Sequence, residues 1–159
     1  MTSALKRTPL YQAHTSLQAR LTEFAGWEMP LQYRGILEEH RWVRRSAGAF
    51  DVSHMGRLEV TGEDARTLLD ETLTASVATL PLSRARYSLL CREDGGILDD
   101  LVVYSLEPER FLIVCNAASR IKVNQWLSAW SRGYQNVNIR DITEETAMIA
   151  WQGPQVARG

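Results

Sequence analysis

Residues 95–104 read Gly95-Gly96-Ile97-Leu98-Asp99-Asp100-Leu101-Val102-Val103-Tyr104: two glycines, two aspartates and an apolar run. Burial alone raises the pKa of a carboxylate among apolar neighbours, while a hydrogen bond to a cationic ligand favours its ionised form. Two glycines open a turn, and the apolar run after them reads as a strand. Successive strand side chains point to opposite faces, so Asp99, Leu101 and Val103 share one face and Asp100, Val102 and Tyr104 the other. The two aspartates therefore do not form a close dyad. Two readings stay open. Asp99-Asp100 caps the Gly-Gly turn at the surface, or one of the pair is a single carboxylate on an apolar face. In the second reading Asp99 is expected to matter much less than its neighbour.

A second polar cluster is Phe50-Asp51-Val52-Ser53-His54-Met55-Gly56. A Ser-His-Asp triad draws its members from separate parts of the chain, and there is no G-x-S-x-G elbow. Three polar residues in one short loop instead hydrogen-bond their own backbone. This segment reads as a structural loop with one pocket-facing residue. His14, His40 and His54 are scattered without metal-ligand spacing, so no metal site is expected. Glu38-Glu39-His40 offers too few ligands for one. Cys91 and Cys115 fall in strand candidates and read as small buried hydrophobes. No G-x-G-x-x-G or P-loop is present.

Three helices are expected to position these residues. Apolar Ile36, Val43 and Ala47, widened by Leu37 and Trp42, mark the first, with Gly48 as its C-terminal cap. Ala65, Leu68, Leu69 and Leu73 mark the second, preceded by Glu63-Asp64 at the positive end of its dipole. Ile121, Val123, Trp126, Leu127 and Trp130 mark the third, with Asn116 a plausible N-cap. Strands are expected at 58–61, 86–91, 98–106, 110–115, 136–139 and 147–151. The third and fourth of these form a hairpin through Glu107-Pro108-Glu109. The segment from Phe24 to Pro30, with Trp27 inside it, has no helical period and reads as fixed extended chain. Strands come in adjacent runs with irregular helices, so the fold class is α+β with a mainly antiparallel sheet and flanking helices.

The chain has 159 residues, with 18 Lys plus Arg against 19 Asp plus Glu and a net charge of −1. At 45% hydrophobic and 23% charged, it has an ordinary globular composition. It is neither disordered in composition nor basic enough for a charge-driven nucleic-acid binder. No run approaches the roughly 18 apolar residues of a membrane span. Two cysteines make no disulfide framework, and residues 1–7 lack the apolar core of a signal peptide. A soluble, cytoplasmic protein without membrane or nucleic-acid partners is expected. No linker-like stretch divides the chain, which reads as one packed unit. Gly153-Pro154 is a turn leading onward, so the chain reads as a fragment.

Taken together, several segments resemble one family, the T-proteins or aminomethyltransferases of the glycine cleavage system. They are Thr8-Pro9-Leu10-Tyr11, FAGWEMP from Phe24, Glu39-His40 with Val43-Arg44, and 47–56 (AGAFDVSHMG). Tyr87, GGILDDLVVY from Gly95, Asn116-Ala117-Ala118 and Gln152-Gly153-Pro154 follow in order. The likeness runs across nearly all 159 residues. Two places depart from the pattern: Ala75-Ser76 after Leu73-Thr74, and Cys91-Arg92 after the Leu-Leu run.

The resemblance implies transfer of a one-carbon unit from the aminomethyl-lipoyl arm of H-protein to tetrahydrofolate, giving methylenetetrahydrofolate and releasing ammonia. It implies a three-domain cloverleaf with folate in a central cavity, of which 1–159 is the N-terminal portion. It implies that Asp100 faces the pteridine and assists proton transfer. Met55, Tyr87, Val102 and Asn116 then line the pocket, although Asn116 keeps its N-cap reading. Two alternatives share the fold. One is a folate-dependent demethylase, or the folate domain of a dimethylglycine or sarcosine oxidising enzyme. Thr8-Pro9-Leu10-Tyr11 standing close to the start, with no flavin domain before it, weighs against this one. The other is a non-catalytic folate-binding protein of iron–sulfur maintenance, against which Asp100 itself argues.

Overall fold

The computed structural model describes residues 4–158. The chain divides into two compact units, 4–54 with 144–158 and Met55–Thr143. A single packed unit was expected because no Pro/Gly/Ser-rich linker is present. The divisions fall instead beside His54 and Thr143, in short loops that leave no mark in composition.

The first unit holds two small sheets. In one, β1 (Lys6–Arg7) runs parallel to β3 (Trp27–Gln32), which pairs antiparallel with β2 (Arg20–Phe24). The two residues between β2 and β3, Ala25 and Gly26, have φ of 50° and 81°. Positive φ at both central residues belongs to the hairpin turn whose twist matches the strands. Pro30 is tolerated in β3 because β1 has already ended at the Glu28 register and β2 shifts register between Arg20 and Leu21. The other sheet pairs β4 (Gly48–Asp51) with β10 (Ile149–Gln152). Helices α1 (Tyr11–Ser16) and α2 (Ile36–Arg45) complete the unit.

Helix α2 starts where expected, but it buries none of its residues. Leu37 is 68% and Trp42 60% exposed. Gly48 is not its cap. It opens β4, and a Cβ there would come within 2.6 Å of Val43 Cγ2. Close approach, rather than left-handed backbone, is what calls for glycine at this position.

The second unit is one antiparallel sheet with two helices packed on it. Its strands are β5 (Gly56–Thr61), β6 (Arg84–Cys91), β7 (Ile97–Glu107), β8 (Arg110–Cys115) and β9 (Asn138–Asp141). Their order is β6-β7-β8-β5-β9. Helix α3 (Ala65–Thr72) buries Ala65, Leu68, Leu69 and Thr72, one face at helical spacing. Helix α4 (Arg120–Ser131) buries Val123 and Leu127 and follows a short 3-10 turn at Ala117–Ser119. These residues join Leu58, Val60, Leu90, Leu101, Val103, Phe111 and Ile113 in one core. The fold is α+β and mainly antiparallel, β1–β3 being the one parallel pairing among the described residues.

Candidate functional site

Strand β7 alternates strictly from Asp99 to Ser105. Asp99, Leu101, Val103 and Ser105 are buried, while Asp100 and Tyr104 are exposed and Val102 half-buried. Side-chain period two thus puts Asp100 and Val102 on the outward face of the sheet. Tyr87 on β6 pairs with Val102, which pairs with Val114 on β8. Tyr87 is therefore the diagonal neighbour of Asp100 on that face. It is 62% exposed, and its hydroxyl donates to Asp100 Oδ2 at 3.3 Å. Partial desolvation, then the Asp100 charge, holds the phenol above its ordinary range. Tyr87 is thus a committed donor at neutral pH.

Asn116 follows directly on β8. Its Nδ2 lies 3.0 Å from Asp100 Oδ1, 3.1 Å from the Asp100 carbonyl and 3.0 Å from Asp99 Oδ1. It stands at the N-cap of the 3-10 turn, but its side chain makes no capping hydrogen bond. Of the two roles open to it, the side chain serves the aspartates. Met55 immediately precedes Gly56, the partner of Cys115, so continuing this register sets it beside Asn116. Its carbonyl accepts from Nη1 of the buried Arg57 at 2.7 Å. Tyr87, Asp100 and Val102 thus share one sheet face of the second unit, with Asn116 bonded to Asp100 and Met55 directly before β5.

The Gly-Gly turn is capped by a different residue from the expected pair. Asp94 Oδ1 accepts the Gly96 N–H at 2.8 Å, and Gly95 takes φ of 83°. Asp99 is 7% exposed and accepts from the Asn116 backbone N–H at 3.0 Å as well as from its side chain. Strand alternation alone says nothing of this contact, because the partner comes from another strand's end.

Asp51 makes no triad with Ser53 and His54. Its Oδ1 accepts the Ser53 N–H at 2.9 Å, the local loop bond expected. Its Oδ2 meets Thr8 Oγ1 at 2.6 Å and Nε2 of the buried His14 at 2.8 Å. A carboxylate only accepts, so Nε2 carries the hydrogen, and His14 Nδ1 meets the Tyr33 hydroxyl at 2.8 Å. A cavity of about 660 Å³ in this first unit is lined by Tyr33, Trp42, Phe50 and Asp51 among others. None of the five expected site residues lines it. Glu39, far from ligating metal, accepts the backbone N–H groups of Tyr33, Arg34 and Gly35 ahead of α2.

Cys115 is buried as expected, and burial, then Asp99 and Asp141, push its thiol up to about 12. Cys91 departs from expectation and is only half-buried. Among the described residues no three His, Cys, Asp or Glu side chains cluster as metal ligands, and no helix is long and apolar enough to cross a membrane.

The model of the family described as the GCVT N-terminal domain matches residues 10–158. An aminomethyltransferase of Thermotoga sp. (strain RQ2) is 47% identical over 151 residues, covering 95% of this chain and 41% of that protein. One from Symbiobacterium thermophilum is 43% identical over 157 residues, covering 98% and 42%. The crystal structure of glycine cleavage system aminomethyltransferase T from Bartonella henselae superposes with a TM-score of 0.91 at 39% identity, covering 97% of this chain and 42% of that one. Heterotetrameric sarcosine oxidase from Corynebacterium sp. U-96, at 13% identity and a TM-score of 0.58, shares the fold and covers 96% of this chain and 64% of that one. The chain thus spans about two-fifths of the length of the curated relatives it matches.

Proposed function

Since the chain belongs to the GCVT N-terminal domain family, we propose that it carries the folate-facing wall of an aminomethyltransferase of glycine breakdown. Residues 1–159 are the N-terminal portion of the folate-binding fold and act with domains that supply the other walls. The one-carbon unit of an aminomethyl group, borne on the lipoyl arm of H-protein, passes to tetrahydrofolate. The carbon's bonds to sulfur and to the amine both break as two bonds to folate nitrogens form, so the products are methylenetetrahydrofolate, ammonia and H-protein with its lipoyl arm left as the dithiol. The setting is the cytoplasm, with H-protein and tetrahydrofolate as partners and no metal required.

The observation that carries this reading is the Asp100 carboxylate. It stands exposed on an apolar sheet face, with one oxygen bonded to Tyr87 and the other to Asn116. Each carboxylate oxygen accepts about two hydrogen bonds, so each retains capacity for a donor on the ligand. These acceptors fit a flat, N–H-bearing heterocycle. Tyr87 and Val102 supply apolar surface beside the carboxylate, and Met55 borders the same end of the sheet. Asp100 holds and moves a proton at the reacting amine. Its negative charge faces the positive charge that grows on nitrogen and carbon as the bond to the departing amine breaks.

Asp100→Asn in the full-length protein tests the assignment. The rate of ammonia release is expected to fall by about 10²- to 10⁴-fold, the usual contribution of a general acid or base. The carboxylate is exposed, so the melting temperature should hardly move. An unchanged rate of ammonia release would show that the proton is handled elsewhere.

A further inference from the structure

Asp99 lies on the buried side of β7, behind the face that carries Asp100. We infer that Asp99 is a positioning residue that locks the Asn116 amide in one orientation and, through it, the Asp100 carboxylate. Around Asn116 and Asp100 the site then presents acceptors, which suit a ligand edge rich in N–H donors. The inference rests on the folate-facing reading of Asp100.

The amide of asparagine has a donor end and an acceptor end of nearly equal size, and only its neighbours decide which way it points. Around Asn116 Nδ2 stand Asp99 Oδ1 at 3.0 Å, Asp100 Oδ1 at 3.0 Å and the Asp100 carbonyl at 3.1 Å. All three are acceptors. Turned over, the amide would set its own oxygen against three oxygens. Asp99 adds a second anchor, because its Oδ2 accepts the backbone N–H of the same asparagine at 3.0 Å. One buried carboxylate thus grips both main chain and side chain of Asn116, in a place where water competes poorly. Helix capping does not explain the orientation, since the side chain makes no capping bond.

Selectivity follows from what this arrangement leaves over. The two amide hydrogens are taken by Asp99 and Asp100, and the Tyr87 hydroxyl by Asp100 Oδ2. Among these groups spare capacity is then left on the Asp100 oxygens and the Asn116 carbonyl, while Tyr104, further along the same face, carries another hydroxyl. A reduced pterin, with ring N–H and amino groups, answers it. A ligand edge of acceptors meets like partners at these oxygens and gains no hydrogen bond there.

The test uses the full-length protein, with Asp99→Asn, Asn116→Ala and the exchanged pair Asp99→Asn with Asn116→Asp. Three quantities are measured: solvent exchange of the Asn116 side-chain NH₂ by ¹⁵N NMR, kcat and KM for tetrahydrofolate, and Tm. Slow exchange is expected in the wild type and faster exchange in Asp99→Asn. Strand alternation alone leads one to expect Asp99 to matter much less than Asp100, but its hold on Asn116 means that the kcat of Asp99→Asn should fall on the order of 10²-fold, as for a catalytic group displaced by about an ångström. The exchanged pair restores a hydrogen bond between positions 99 and 116 but turns a carboxylate toward Asp100, so kcat should stay low while Tm recovers. Recovery of kcat with Tm would reduce Asp99 to a structural role and overturn the inference. So would wild-type kcat and KM in Asp99→Asn. If that variant does not fold, Asn116→Ala decides, with wild-type kcat overturning the inference and a fall supporting it. A wild-type protein that neither binds nor turns over tetrahydrofolate, yet shows an Asp99-dependent slow amide, would sink the folate reading and leave the lock standing.

Discussion

Asp51 shows how one buried charge is kept. Its side chain is 1% exposed. Burial alone would raise its pKa, but hydrogen bonds from Ser53, Thr8 and His14 outweigh this and hold it below the usual carboxylate range. Removing the carboxylate strands His14 and Thr8, so Asp51→Ala should destabilise the protein by about 3 kcal/mol, read by denaturant unfolding. A depressed pKa contributes stability above the unfolded value and loses it as pH falls through the folded one. Below about pH 4 the wild type should therefore lose stability that Asp51→Ala has already lost, and their unfolding midpoints should converge. At this scale the sequence told only part of the story. Asp100 and Val102 are readable on one face because period two is local. His14 with Asp51, and Asp99 with Asn116, are not readable, because each bond joins positions that the chain separates and only the fold brings together.

The elements were legible where hydrophobic period and turn residues agree. The β7–β8 hairpin and helices α3 and α4 lie within a few residues of their expected positions. Strands β1, β2 and β4 and helix α1 escaped, being short and mostly exposed, so that burial left no alternation to find. The Ala25–Gly26 hairpin escaped because alanine is not a usual residue at positive φ. Gly56 at the head of β5 tests how tightly the site end of the sheet is set. A Cβ there would stand 2.5 Å from Cys115 Sγ and 3.1 Å from Arg120 Cβ. Gly56→Ala is expected to cost about 1–3 kcal/mol through overpacking. It should also disturb the amide resonance of Asn116, the residue after Cys115. An unchanged melting curve and spectrum would show that the strand end yields freely.

For the molecule as a whole, the family and fold were legible because many short motifs recur in order, whereas the division into two units was not. The candidate site is an open sheet face, with Tyr87 62% exposed. A flat ring laid on one such face keeps its other side in water and gains only part of the burial that a closed pocket gives. The 159-residue chain is therefore expected to bind tetrahydrofolate more weakly than micromolar by calorimetry, and the full-length protein more tightly. Micromolar binding by the short chain would show that this face suffices alone.

The strict alternation of β7 also limits how this stretch of gene can change. From Asp99 to Ser105 odd-numbered positions belong to the interior and even-numbered ones to the outward face. A wrong letter damages one side of that partition. A codon gained or lost in the Gly95–Leu98 approach shifts the frame of faces, sending Asp100 inward and Leu101 or Asp99 outward at a stroke. In this strand, then, length is under stricter constraint than identity, and insertions and deletions should be rarer here than substitutions.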